Sequence, residues 1–124
     1  MIETPRDDIP SHPDGDPSVV VPFRCDVSFV DEHAVIAVRG ELDLATGPEL
    51  LREVQATLVL PLTAVTIDLA KVSFMDSSGI HVLLVARTSA MERGIELALT
   101  GVSKQGHRVL ELAGLIEHFR LDQD

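Results

Sequence analysis

The segment KVSFMDSSGIHVLLVA, Lys71 to Ala86, sets Asp76, Ser77 and Ser78 between two apolar runs and follows them with Gly79. A carboxylate beside two hydroxyls suits three kinds of chemistry: a nucleophilic serine, a phosphorylated aspartate, or the capping of a helix. A nucleophile elbow needs glycine two residues before and two after the serine, so that the hydroxyl projects from a sharp strand-to-helix turn. Met75 stands two before Ser77 and Asp76 two before Ser78, so neither fits. The base is no better supplied: of His12, His33, His81, His107 and His118, only His81 follows the turn closely. Nothing in the sequence gives it an orienting acid or an oxyanion hole.

An aspartyl-phosphate site would place Asp76 at a strand end, with further acids holding Mg²⁺ and a lysine on a later strand. Asp43 and Lys104 are a thin set for that purpose. No His, Cys or carboxylate pair has metal-ligand spacing, and the turn is too short for a phosphate-cradling glycine loop. Capping remains: Ser77 or Ser78 as N-cap, with Asp76 beside the positive end of the helix dipole, would contribute about 0.5–2 kcal/mol. That accounts for one serine and the aspartate. It leaves a second serine and Gly79, a poor helix former, in the first turn. A cap and a working serine both stand at this point.

The elements that position this turn follow from periodicity. FRCDVSFV and HAVIAVRG are β-rich runs parted by Asp31-Glu32, which predicts an antiparallel hairpin. In GELDLATGPELLREVQATLVLP, Thr46 and Glu49 have the capping-box spacing, Leu50, Val54 and Leu58 share a face with Leu51 alongside, and Pro61 ends the helix. AVTIDLAKV is the next strand, with Val65, Ile67 and Leu69 on one side, and a helix from Ser77 closes at Gly94. IELAL alternates as a strand. SKQGHRVLELAG is a helix with Val109, Leu112 and Ala113 inward and Gly114 at its end, and Gly106 predicts mobility at its start. LIEHFRL adds an edge strand or a frayed coil. The order β-β-α-β-α-β-α(-β) defines an α/β domain, a mixed sheet of four to five strands with helices packed against it. Asp43, Thr46, Asp76, Ser77, Ser78 and Gly79 all fall at strand C-termini or helix N-termini, on one edge.

Residues 1–22 stand apart as an acidic extension, holding five of the seven prolines and five acids against one arginine. Such composition predicts a flexible tail, with the domain at 23–124. The formal charge of −10 argues against nucleic-acid binding and against docking on an anionic membrane; it suits a cationic protein partner or simple solubility. The lone Cys25 reads as a small core residue, without disulfide or metal company. No signal-peptide pattern and no apolar run of spanning length is present, so the cytoplasm is the expected compartment.

The run VSFMDSSGIHVLLVA, preceded some 30 residues earlier by GELDLAT, resembles the anti-sigma factor antagonists of the STAS-domain family. The resemblance extends from Phe23 to Arg120. It implies that Ser77, the first serine after Asp76, is a phosphoacceptor for a partner anti-sigma factor, a GHKL-type serine kinase. It places Asp43 and Thr46 in a partner-contacting loop, with Asp76, Ser78 and Gly79 beside them. Unphosphorylated chain would bind the kinase and free sigma, phosphorylation would end that binding, and a PP2C-type phosphatase would restore it. Gly79 is expected to keep the surface low around the hydroxyl. The chain itself would then be no enzyme and need no metal or cofactor. A STAS docking module of a transporter-accessory or stress-signalling assembly, without a phosphoswitch, is the alternative. Since the sequence closes on FRLDQD, the family's additional closing helix is expected to be absent or replaced, and the acidic N-terminal extension is additional to the family pattern.

Overall fold

The computed structural model describes residues 21–112, 114 and 120–122. The predicted flexible tail lies almost wholly outside them, as does Ala113. The elements are β1 (Arg24–Val30), β2 (His33–Leu42), α1 (Gly47–Leu58), β3 (Ala64–Met75), α2 (Ser77–Glu92), β4 (Glu96–Thr100), α3 (Lys104–Leu112) and β5 (Arg120–Asp122).

β1 and β2 form the expected hairpin. Val30 pairs with His33, which leaves Asp31 and Glu32 as a two-residue turn, and Asp31 takes the positive φ of 54° that such turns demand. From β2 onward every pairing is parallel, and the sheet order is β1-β2-β3-β4-β5. Each strand-helix-strand crossover therefore steps in the same direction. Right-handed connections then place all three helices on one face of the sheet.

That face carries a single aliphatic core. Ala34, Ile36, Val38 and Leu42 of β2 and Val65, Ile67 and Leu69 of β3 alternate into it, as the period of a half-covered strand requires. They meet Leu50, Val54 and Leu58 of α1, Leu83, Ala86 and Ala90 of α2, and Leu110 of α3. Cys25 is half-buried against this cluster.

Three expectations need correction. β3 runs on to Met75 rather than ending at Val72, because two bulges, near Ala37/Arg39 and Gly40/Glu41, re-phase it against β2. In α3, Val109 packs against the core as expected, but the fully buried residues are Gly106 and Leu110, and Leu112 is 76% exposed. Gly106 is no sign of a loose end: it is buried, and a β-carbon there would stand 3.0 Å from Cε of Met75. The first turn of the helix lies against the end of β3, where an added methyl would meet only the flexible end of Met75 and two further side chains.

Candidate functional site

β2 and β3 end side by side, with Leu42 in register with Met75. The backbone N–H of Asp76 reaches the Leu42 carbonyl at 3.4 Å, so the two segments that follow start from one point on the sheet edge. The α1 loop and the first turn of α2 are thereby neighbours, although more than 30 residues separate Asp43 from Ser77 in the chain.

The cap of α2 is Asp76, and this corrects the assignment of capping to a serine. Asp76 has the extended backbone of an N-cap, and its Oδ1 accepts from the N–H groups of Ser78 (2.9 Å) and Gly79 (3.3 Å). The Asp76 carbonyl takes the N–H of Ile80 at 3.1 Å. Ser77 is thus the first helical residue, exposed, and its hydroxyl has no partner among the described residues. Ser78 is half-buried behind it. With Oδ1 accepting from two backbone donors, Asp76 serves as the cap of α2.

Gly79 is buried, so it does not keep the outer surface low. A β-carbon there would stand 2.9 Å from the Leu42 carbonyl oxygen and 2.8 Å from Cγ of Met75. Only glycine lets the helix start so close to the strand ends. From the other side, Nε2 of Gln105 on α3 donates to the Met75 carbonyl at 2.8 Å. The residue before Asp76 is thus held by β2, α2 and α3 together.

The preceding loop is equally self-contained. Asp43 Oδ1 accepts from the N–H groups of Ala45 (3.0 Å) and Thr46 (3.1 Å), and the Asp43 carbonyl accepts from Gly47 N–H at 2.8 Å. The Thr46 hydroxyl donates back to the Glu41 carbonyl at 2.7 Å and accepts from Asp43 N–H at 2.9 Å. The expected capping box is therefore absent: Thr46 stands before α1, but its side chain caps nothing there. Its hydroxyl has been drawn into the loop, and Glu49 N–H bonds the Thr46 carbonyl instead, at 2.9 Å. Pro48, at the helix start, removes one donor that would have needed a cap. Tied down at both ends, the loop presents Leu44 to solvent, 78% exposed.

Between loop and helix lies an apolar groove of about 400 Å³ lined by Asp43, Leu44, Pro48, Leu51, Ser77, Ser78, His81 and Val82, with Gly47 at its base. A β-carbon on Gly47 would come within 2.8 Å of Val82 Cγ2, so this glycine sets how closely α1 and α2 approach. Of the six residues singled out in the sequence, Asp43, Ser77 and Ser78 line the groove. Thr46, Asp76 and Gly79 do not; they hold its walls. The sequence reading missed Leu44, Pro48, Leu51, His81 and Val82. Two signals were available: an apolar residue at a polar loop's tip, and His81 one helical turn beyond Ser77.

Among the described residues no three His, Cys, Asp or Glu side chains gather as a metal-ligand set, and no helix is long and apolar enough to cross a membrane. Cys25 lies away from the groove. Burial, with Glu53, Glu49 and Asp26 nearby, pushes its thiol up to about 11.

The fold is a five-stranded mixed sheet with helices on one face, and it carries a capped serine turn beside a loop-and-groove surface. The STAS domain profile matches residues 24–124, and the chain belongs to that family. Over 84 residues it is 37% identical to the anti-sigma-B factor antagonist of Listeria monocytogenes, covering 68% of this chain and 74% of that one. It is 30% identical over 102 residues to the anti-sigma-F factor antagonist RsfB of Mycobacterium tuberculosis, covering 81% and 83%. An anti-sigma factor antagonist of Mycobacterium paratuberculosis superposes with a TM-score of 0.74 at 26% identity, over 83% of this chain and 89% of that one.

Proposed function

We propose that the protein is an anti-sigma factor antagonist that works by partner switching, with Ser77 as its phosphoacceptor. In this reading an anti-sigma factor docks on the groove between the Asp43–Thr46 loop and α2, and sigma is released. The docked factor, a serine kinase of the GHKL type, transfers the γ-phosphoryl of ATP to Ser77 Oγ. The Oγ–P bond forms as the bond to ADP breaks, and the hydroxyl proton passes to a base of the kinase. A PP2C-type phosphatase hydrolyses the ester and restores the hydroxyl. The chain supplies no catalytic group, cofactor or metal, and the exchange takes place in the cytoplasm.

The observation that carries this reading is the division of labour at the turn. Asp76 satisfies the helix start, so the Ser77 hydroxyl is exposed and free of structural duty. Phosphate there adds about −1.5 to −2 charge beside a helix N-terminus, which tolerates anions, so the fold survives modification. A partner lying in the apolar groove would meet that charge at its edge, beside Asp43, and lose affinity.

The test is intact-mass and site-localised mass spectrometry after incubation with a candidate anti-sigma kinase and ATP. A single phosphate on Ser77, absent from Ser77→Ala, together with persistent binding by Ser77→Ala and poor binding by Ser77→Asp, is the expected outcome. If Ser77→Asp binds as well as the unmodified chain, the switch mechanism is wrong. If no phosphate is transferred while the partner still binds, the groove serves docking alone.

A further inference from the structure

The sheet has a second face, away from the three helices. On it, Arg24 of β1 is in register with Arg39 of β2, and Arg39 with Lys71 of β3. Three exposed cations thus form one row across three adjacent strands of a chain whose formal charge is −10. Like charges directly opposite one another destabilise a sheet. The next row is Asp26, Ala37 and Asp68. Asp26 is engaged by Arg24 at 3.1 Å, and Asp68 Oδ1 accepts from Ala70 N–H at 2.9 Å, closing the β3 bulge. Glu41 stands on the other side of the row, opposite Phe74. Among the described residues neither Arg39 nor Lys71 is ion-paired. They border a depression of about 200 Å³ whose lining includes Asp26, Ala37 and Asp68.

We propose that the acidic segment 1–20 of this chain docks on the open face of the sheet, its carboxylates pairing with the Arg24–Arg39–Lys71 row. The segment carries Glu3, Asp7, Asp8, Asp14 and Asp16 against Arg6 alone, which gives the charge complementarity. It joins the fold at the right place, because Arg24 opens β1 and is itself the first cation of the row. Asp16 and Asp14 precede Arg24 by eight and ten residues. That length of chain reaches up to about 25–35 Å, whereas the row spans two strand spacings, about 10 Å. The tether keeps the acids at an effective concentration on the order of millimolar. Pro5, Pro10, Pro13 and Pro17 reduce the conformational freedom lost on docking.

The test is paramagnetic relaxation in the full-length chain. A nitroxide is placed on Ser11→Cys in a Cys25→Ser background, and the ¹⁵N-labelled amides are followed. The amides of Arg39, Asp68 and Lys71 should lose intensity at low ionic strength and recover it in about 0.5 M salt, where exposed charges are screened. They should also recover in Arg39→Gln/Lys71→Gln. Absence of broadening at low salt would overturn the proposal, as would broadening that survives both salt and the double substitution. Broadening when spin-labelled and ¹⁵N-labelled chains are mixed would transfer the contact to a second copy, and overturn it too. Should the Cys25→Ser background fold poorly, the chain with Asp7, Asp8, Asp14 and Asp16 all changed to Asn serves instead. Its open-face amides should shift from their native positions, and unchanged positions would refute docking.

Discussion

The assignment of the α2 cap to Asp76 rather than to a serine makes a quantitative ordering. Of the first four N–H groups of the helix, Asp76 satisfies three: Ser78 and Gly79 through its carboxylate and Ile80 through its carbonyl. Asp76→Ala removes the first two of these bonds in a part-buried place, and a lost cap of this kind costs about 1–2 kcal/mol. Asp76→Asn keeps an acceptor oxygen and loses only the charge–dipole attraction, about 0.3–1 kcal/mol. Ser77→Ala removes an exposed hydroxyl without a partner and should stay within about 0.5 kcal/mol of the native chain. Urea unfolding at constant m-value reads these differences directly. In thermal unfolding the Asp76→Ala loss corresponds to roughly 4–8 °C. The reasoning fails if Ser77→Ala or Ser78→Ala destabilises as much as Asp76→Ala, since a serine would then be the cap. The same series separates folding from switching, because Ser77→Asp adds a negative charge at the favourable end of the helix and should not lower the unfolding midpoint.

Two glycine substitutions should move stability in different directions, as urea midpoints will record. Gly79→Ala gains about 1 kcal/mol of helix propensity but drives a methyl against the immovable Leu42 carbonyl, for a net loss of about 1–2 kcal/mol. Gly106→Ala meets only the flexible end of Met75 and two side chains at 3.3–3.4 Å, so its net effect should be neutral or stabilising by up to about 1 kcal/mol. Cys25, raised from 9.0 to about 11 chiefly by burial and then by Glu53, Glu49 and Asp26, should react with iodoacetamide about 100-fold more slowly at pH 8 than in the unfolded chain. Because the folded value lies above the unfolded one, the stability this thiol contributes is complete below pH 9 and is lost as pH rises towards 11; Cys25→Ala should flatten that decline. Leu44→Ser should leave the unfolding midpoint unchanged within about 0.5 kcal/mol and weaken anti-sigma binding about tenfold, measured by calorimetry.

Where local pattern and tertiary demand agree, the sequence was a sufficient guide. The hairpin at Asp31-Glu32, the alternation of Val65, Ile67 and Leu69, the Leu50–Val54–Leu58 stripe and the stop at Gly94 each express one period or one turn residue, and all four stand in the fold. The errors arose where two partners compete for one group. Thr46 and Glu49 have capping-box spacing, but the Glu41 carbonyl and Asp43 N–H claim the threonine hydroxyl, and no spacing rule encodes that rivalry. Asp76, Ser77 and Ser78 are all good N-caps, and which one serves depends on where Met75 is fixed by Leu42 and Gln105. Gly106 looked like local flexibility and Gly79 like a low patch of surface, because the close approach of Gly106 to Met75 and of Gly79 to Leu42 involves residues more than 30 positions away. The apolar lining of the groove escaped notice because Leu51 and Val82 sit within core-like stripes, and the groove they line forms only where the loop meets α2.

The strand order β1-β2-β3-β4-β5 has a consequence for how the molecule comes into being. Each strand is laid beside its immediate predecessor, so none is threaded between two already formed, and each closure spans a modest length of chain. Emerging from the ribosome, the chain can extend its sheet in the order of synthesis. The serine turn arises in the middle of this sequence, with both walls of its groove made by Val82, while its last fastening, Gln105 on the Met75 carbonyl, belongs to residues translated later. Both walls of the groove are therefore translated before α3, whose Gln105 then sets the turn in its final position.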